Sequence, residues 1–188
     1  MIFLPTELKG VHVIDIEKIG DDRGFFGRSF CIDEFNNAGL ESNFVQQNIC
    51  KSSNLFTLRG MHYQVGVHAE DKYIRCHKGV ILDVIIDIRK NSPSFLSYET
   101  FELTEDNSKA LYVPKGCAHG FITLTEEALV SYLVSTRYSP ENEKGIRWND
   151  PMFNIKWPSD NPVLSDKDAN HIYFDPKSKA LDDNYLEI

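Results

Sequence analysis

Hydrophobic and polar residues alternate most cleanly over residues 80–88. There Val80, Leu82, Val84, Ile86 and Ile88 fall on one side of an extended chain, and Ile81, Asp83, Ile85 and Asp87 on the other. A period of two predicts a strand. Shorter runs of similar character occupy 44–49, 56–64, 73–77, 97–103, 110–113, 120–124 and 129–136, punctuated by Gly, Pro, Asn and Asp. Helical signals are few. Residues 33–38 read as a short helix stopped by Gly39, Ser139-Pro140 opens a turn or helix with Glu141 and Glu143 in its first turn, and Ser165 starts another. Many short strands without a repeat, a low-complexity block or a linker predict one all-β domain, a sandwich or barrel. Asp83 and Asp87 share a face; the simpler reading is a solvated or interface face, the other a carboxylate that orients a base from inside the barrel.

Composition narrows this picture. The chain has 188 residues, 41% of them hydrophobic, enough for one well-buried core. A formal net charge of −8 argues against a general nucleic-acid surface, which needs a clustered basic excess. Cys31, Cys50, Cys76 and Cys117 are widely spaced with no Cys-x-x-Cys pair, which suits free thiols in a reducing compartment better than a zinc or redox motif. The N-terminal MIFLPTELKG has no basic region before its apolar run, and no stretch reaches the roughly eighteen apolar residues of a membrane helix. A cytoplasmic protein without membrane contact is expected.

The chemistry concentrates in LRGMHYQVGVHAEDK at 58–72. An imidazole can take a proton from carbon and a nearby ammonium can stabilise the enolate that results, so His62 with Lys72 suggests proton abstraction beside a carbonyl. From this segment alone, a strand histidine that fills a core or bonds to backbone is an equal alternative. A second segment, VPKGCAHGFI at 113–122, places a Pro114/Gly116 turn before His119 and resembles the second cupin motif. Metal-binding cupins carry two histidines one residue apart in their first motif; here Gln64 replaces the second, and a carboxamide is a poor ligand for a transition metal. No catalytic metal is expected.

GDDRGFF at 20–26, FVQQN at 44–48, LRGMHYQ with Lys72, VPKGCAHGF, Tyr132 with Tyr138, GIRWNDP at 145–151 and PVLSDKD at 162–168 together resemble the dTDP-4-dehydrorhamnose 3,5-epimerases. The likeness covers about residues 5–168, and the polar tail over 169–188 carries no motif. It implies a cupin jelly roll, a homodimer, and cofactor-free inversion at carbons 3 and 5 of a nucleotide-linked 4-keto-6-deoxyhexose. By the same resemblance His62 is the base, Asp168 its hydrogen-bonding partner, Lys72 the oxyanion stabiliser and Tyr132 the acid on the opposite face. Arg23 and Arg59 bind the diphosphate, His119 and Asn48 help place diphosphate or sugar, and Tyr138 stacks on the base with Gln46 and Phe25 nearby. Single-centre epimerisation, 3,4-ketoisomerisation and binding without turnover use overlapping residues.

Taken one at a time, these residues have plainer readings. Asp168 falls three residues after Ser165, as a capping-box carboxylate does; Tyr132 suits sheet packing; the arginines suit surface ion pairs. In an ideal strand Arg59 and His62 point to opposite faces, unless Gly60 marks a bulge or the two serve different subunits' sites. The chain also departs from the family pattern. Arg28 stands where a Glu is usual near the base, which exchanges an acceptor for a donor and brings CDP in as the second candidate carrier after dTDP. Glu70-Asp71 replaces the usual Gln-Gly before Lys72; the two carboxylates either favour the charged form of Lys72 or face solvent, and solvent is the expectation.

Overall fold

The computed structural model describes residues 1–177. Two antiparallel sheets face each other. The six-stranded sheet runs β1 (Ile2–Pro5), β2 (His12–Asp15), β10 (Ala110–Val113), β7 (Lys72–Lys78), β12 (Ala128–Val134) and β5 (Gln46–Ser52). The five-stranded sheet runs β13 (Glu143–Gly145), β6 (Leu58–Gln64), β11 (Cys117–Thr123), β8 (Val80–Asp87) and β9 (Tyr98–Thr104). A separate hairpin, β3 (Ile19–Asp21) and β4 (Gly24–Phe26), joins neither. Among the described residues, helix is limited to α1 (Ile32–Asn37), α2 (Asp166–Ala169) and a 3-10 turn at Gly66–His68.

Every interior strand expected from periodicity is present. β1, β2, β3, β4 and β13 are not foreseen; they are only three or four residues long, too short to show an alternation, and all but β2, which pairs with both β1 and β10, lie at sheet edges or in the hairpin. Ser139 accepts backbone bonds from Asn142 and Glu143, so that segment is a turn leading into β13. No helix among the described residues is long and apolar enough to cross a membrane.

The core between the sheets joins Ile74, Cys76, Leu111 and Val130 of one sheet to Ile81, Ile85, Leu103 and Phe121 of the other. The outer faces are covered as well. Phe35 of α1 packs with Phe30, Phe44, Tyr73 and Tyr112 over the six-stranded sheet. Met61, Val84, Ile86, Ala118 and Ile146 meet Phe153, Trp157 and Phe174 over the five-stranded one.

That second cover overturns the solvated reading of Asp83 and Asp87. Both faces of β8 are buried, so its period of two separates two apolar layers instead of core from water. Asp83 shares the inner layer with Ile81 and Ile85, and Asp87 is held by Arg89, Ser92 and Ser94. The thiols are free: Cys76 and Cys117 are buried, Cys31 and Cys50 half-buried. Burial pushes Cys117 to about 12, so this thiol is inert at neutral pH.

Candidate active site

A cavity of about 380 Å³ opens between the sheets. β5 contributes Gln46, Asn48 and Cys50, three alternate residues on one face of a strand. β12 adds Tyr132 and Val134, β7 adds Lys72, and the facing sheet supplies Arg59, His62, His119 and Phe121. Tyr138, Glu143 and Asp168 close one end.

A bulge brings Arg59 and His62 to the same cavity. His119 pairs with His62 and Phe121 with Arg59, so one residue of β11, Gly120, spans the two β6 residues Gly60 and Met61. Only glycine fits there. Gly60 has φ +132°, and a Cβ on it would lie 2.5 Å from the Cα of Gly120.

His62 Nε2 lies 2.6 Å from Asp168 Oδ1. Burial alone would raise the Asp168 carboxyl, but the hydrogen bond and charge of His62 and the Ser165 hydroxyl bring it below its ordinary value. An ionised carboxylate only accepts, so Nε2 carries the proton and the Nδ1 lone pair is left as base. The capping reading of Asp168 is half realised: its backbone N–H donates to Ser165 Oγ at 3.1 Å, while its carboxylate turns to His62.

Lys72 is buried, with Nζ 3.2 Å from Glu70 Oε1 and 3.4 Å from the His62 carbonyl oxygen. Glu70 therefore does not face solvent as expected; Gln64 Nε2 donates to its other oxygen at 2.8 Å and draws it inward. Asp71 is buried too, accepting from Tyr112 at 2.7 Å and from Ser135 at 3.1 Å. Gln64, at the position of a metal cupin's second histidine, spends its amide on loops: Nε2 donates to the His68 carbonyl and Oε1 accepts from Ser139 N–H.

His119 Nε2 lies 2.9 Å from Asp83 Oδ2, and burial pushes the Asp83 carboxyl up. Burial likewise raises the Tyr132 phenol, keeping it a proton donor at neutral pH. Arg59 donates to Ser52 Oγ and the Lys51 carbonyl at the rim, each at 3.2 Å. Gln46 donates to Asn48, and the Tyr138 hydroxyl to Glu143 at 2.7 Å.

Three expected site residues lie elsewhere. Arg23 pairs with Asp21 on the β3–β4 hairpin, Phe25 is exposed beneath the Lys18 ammonium, and Arg28 donates to Glu34 at 2.7 Å. Within one chain, the hairpin holds Arg23 and Phe25 away from the cavity, and the Arg28 ion pair binds its guanidinium to α1. Sequence reasoning missed Glu143 and His171 as neighbours of the catalytic candidates, and it turned Glu70 outward. Glu70 carried a signal, since it departs from the family pattern directly beside Lys72.

The family model for dTDP-4-dehydrorhamnose 3,5-epimerase matches residues 5–175. The chain belongs to this family. A family member from Shigella flexneri, named dTDP-4-dehydrorhamnose 3,5-epimerase, is 43% identical over 171 residues, covering 90% of this chain and 94% of its own. The crystal structure of the Bacillus anthracis enzyme of that name, with TDP and PPi bound, superposes with a TM-score of 0.90 at 38% identity, over 92% of this chain and 99% of that one. A Legionella pneumophila family structure in complex with dTDP-4-keto-L-rhamnose gives a TM-score of 0.86 at 34% identity, over 92% of each chain.

Proposed function

We propose that the chain epimerises carbons 3 and 5 of a dTDP-linked 4-keto-6-deoxyhexose by proton abstraction and return through an enolate, without a cofactor. The observation that carries this reading is the division of labour between the sheets. Inversion requires a base on one face of the sugar and an acid on the other. His62 with Asp168 comes from the five-stranded sheet and its flanking helix, and Tyr132 from the six-stranded sheet across the cavity.

The 4-keto group acidifies its neighbouring C–H bonds. Nδ1 of His62 takes the proton, and the Asp168 carboxylate stabilises the imidazolium. Negative charge collects on oxygen 4, where Lys72 meets it. Two of its N–H bonds are directed by Glu70 and the His62 carbonyl, and a third is left for the substrate. Tyr132 delivers a proton to the opposite face, and Arg59 at the rim takes the diphosphate.

We read the active form as a cytoplasmic homodimer. Ile19, Phe25 and Phe26 leave the hairpin 73%, 57% and 74% exposed, an apolar surface suited to a second subunit. In that assembly Arg23 and Phe25 would serve the neighbouring cavity, with Arg28 near its mouth.

Proton NMR in deuterium oxide with dTDP-4-keto-6-deoxyglucose tests the reaction, with the CDP analogue in parallel. Enzyme-dependent loss of the signals at both carbons, faster with dTDP, is expected. Loss at one carbon alone would make this a single-centre epimerase, and silence with both nucleotides would sink the reading. Tyr132→Phe separates the two half-reactions: exchange should outlast inversion, whereas a tyrosine that only packs would leave both near normal.

A further inference from the structure

His171 lies beyond the last motif, yet it completes a cluster with the base and its partner. One donor atom from each of His62, Asp168 and His171 lies within 4.8 Å of the others. His171 Nε2 is 3.4 Å from Asp168 Oδ1, and this nitrogen is buried without a hydrogen-bond partner among the described residues. Its ring crosses that of His62 edge-on, with centroids 5.5 Å apart.

The placement is built. Arg147 N–H donates to the Ile172 carbonyl at 2.9 Å, and Phe174 N–H to Asp150 at 2.6 Å, tying the segment down on both sides of the imidazole. Gly145, the cross-strand partner of His62, leaves the space for the ring: a Cβ there would lie 2.2 Å from His171 Cε1.

We propose that His62, Asp168 and His171 form a binding site for a borderline divalent transition metal, Zn²⁺ in particular, whose occupancy switches the enzyme off reversibly. Two imidazoles and one carboxylate are a zinc donor set that leaves a fourth position open. Metal–ligand bonds of about 2.0–2.2 Å separate tetrahedral ligands by about 3.2–3.6 Å. The His171–Asp168 spacing of 3.4 Å already matches, and the 2.6 Å His62–Asp168 contact must open by somewhat under 1 Å. In the metal-free protein Nε2 of His62 carries a proton bound to Asp168. When metal takes Nε2, that proton moves to Nδ1, the imidazole stays neutral, and the lone pair that would abstract the substrate proton is gone. The metal is thus an inhibitor at this site and takes no part in the chemistry.

The decisive experiment titrates metal-free protein with Co²⁺, followed by its visible absorption, and with Zn²⁺, followed by calorimetry. Epimerisation is assayed in parallel. One ion per chain is expected, with inhibition that tracks occupancy and is reversed by EDTA. His171→Gln should bind about 100-fold more weakly or worse, since even indirect partners of a metal cost about 10–100-fold. Equal affinity in wild type and His171→Gln, or no binding in either, overturns the proposal. Direct metal binding is read without substrate, so its outcome is separate from whether His62 is the base. If His171→Gln fails to fold, a rise in wild-type Tm with Zn²⁺ but not Mg²⁺, absent in His62→Gln, decides instead; no such rise overturns the site.

Discussion

Two imidazole–carboxylate pairs stand side by side in this molecule, because His62 and His119 are cross-strand partners on β6 and β11. Their contacts are similar, 2.6 Å for His62–Asp168 and 2.9 Å for His119–Asp83. Their carboxylates live differently. Asp83 is fully buried between the sheets, one of its oxygens has no hydrogen-bond partner among the described residues, and burial drives it toward the neutral acid. Asp168 sits on a single-turn helix beside the Ser165 hydroxyl and is kept ionised. An ionised carboxylate stabilises a forming imidazolium; one pushed toward neutrality mainly holds a ring in place. Geometry alone ranks the pairs as equals, and their surroundings assign them different work.

The sharpest way to break this contrast is to remove each imidazole. His62→Ala should lose roughly 10²–10⁴-fold in deuterium exchange at both carbons, the usual contribution of a positioned base. His119→Gln keeps a donor beside Asp83 and should act mainly through KM, raising it about tenfold, or about 1.4 kcal/mol of binding. Steady-state kinetics that put both losses in kcat would show the two histidines to be equivalent in the reaction.

Exchanging the carboxylates comes next in size. Asp168→Asn should cost about 10²-fold or more in turnover, and Asp83→Asn less than about tenfold. Stability against pH separates them by sign. Asp168 is depressed below 3.8, so its stabilising share is present above that value and lost as pH falls through its folded value. Asp83 is raised above 3.8, so its share is complete below that value and lost as pH rises through its folded value. Thermal melts across about pH 3–8 should therefore show a flatter acid decline for Asp168→Asn. Asp83→Asn should gain on wild type as pH rises. Parallel curves for the two variants would remove the distinction.

How much of this could be read from the chain varies with the kind of burial. Interior strands were legible because alternation reports a half-buried sheet, and β8 could be placed although the environment of its aspartates could not. The more apolar face meets residues 146–174, which fold back over the outside, and the face with Asp83 turns between the sheets, a long-range arrangement that leaves no mark on local periodicity. Arg59 and His62 share a cavity through a Gly60 bulge that spacing suggested without deciding. Glu70 turns inward because Gln64 and Lys72 reach it, and His171 arrives from a stretch without a motif through space that Gly145 leaves. Arg23, Phe25 and Arg28 were marked by family pattern alone, and one chain does not bring them to the cavity. The segment 178–188, part of the polar tail, lies outside the described residues.

The smallest expected effect bears on why the two carboxylates differ at all. Ser165 caps α2 through the Asp168 N–H and also favours the ionised Asp168 carboxylate, help that Asp83 lacks. Ser165→Ala should cost about 1 kcal/mol of stability, as lost N-caps do. It also removes one of the groups holding the carboxyl below its ordinary value, so the Asp168 pKa should rise and the acid limb of the kcat profile should move to higher pH. A lowered Tm with an unmoved acid limb would mean that the cap serves only the helix. The difference between the pairs would then rest on the imidazoles and on burial, with Asp83 shielded from solvent by the sheets and Asp168 held against both His62 and His171.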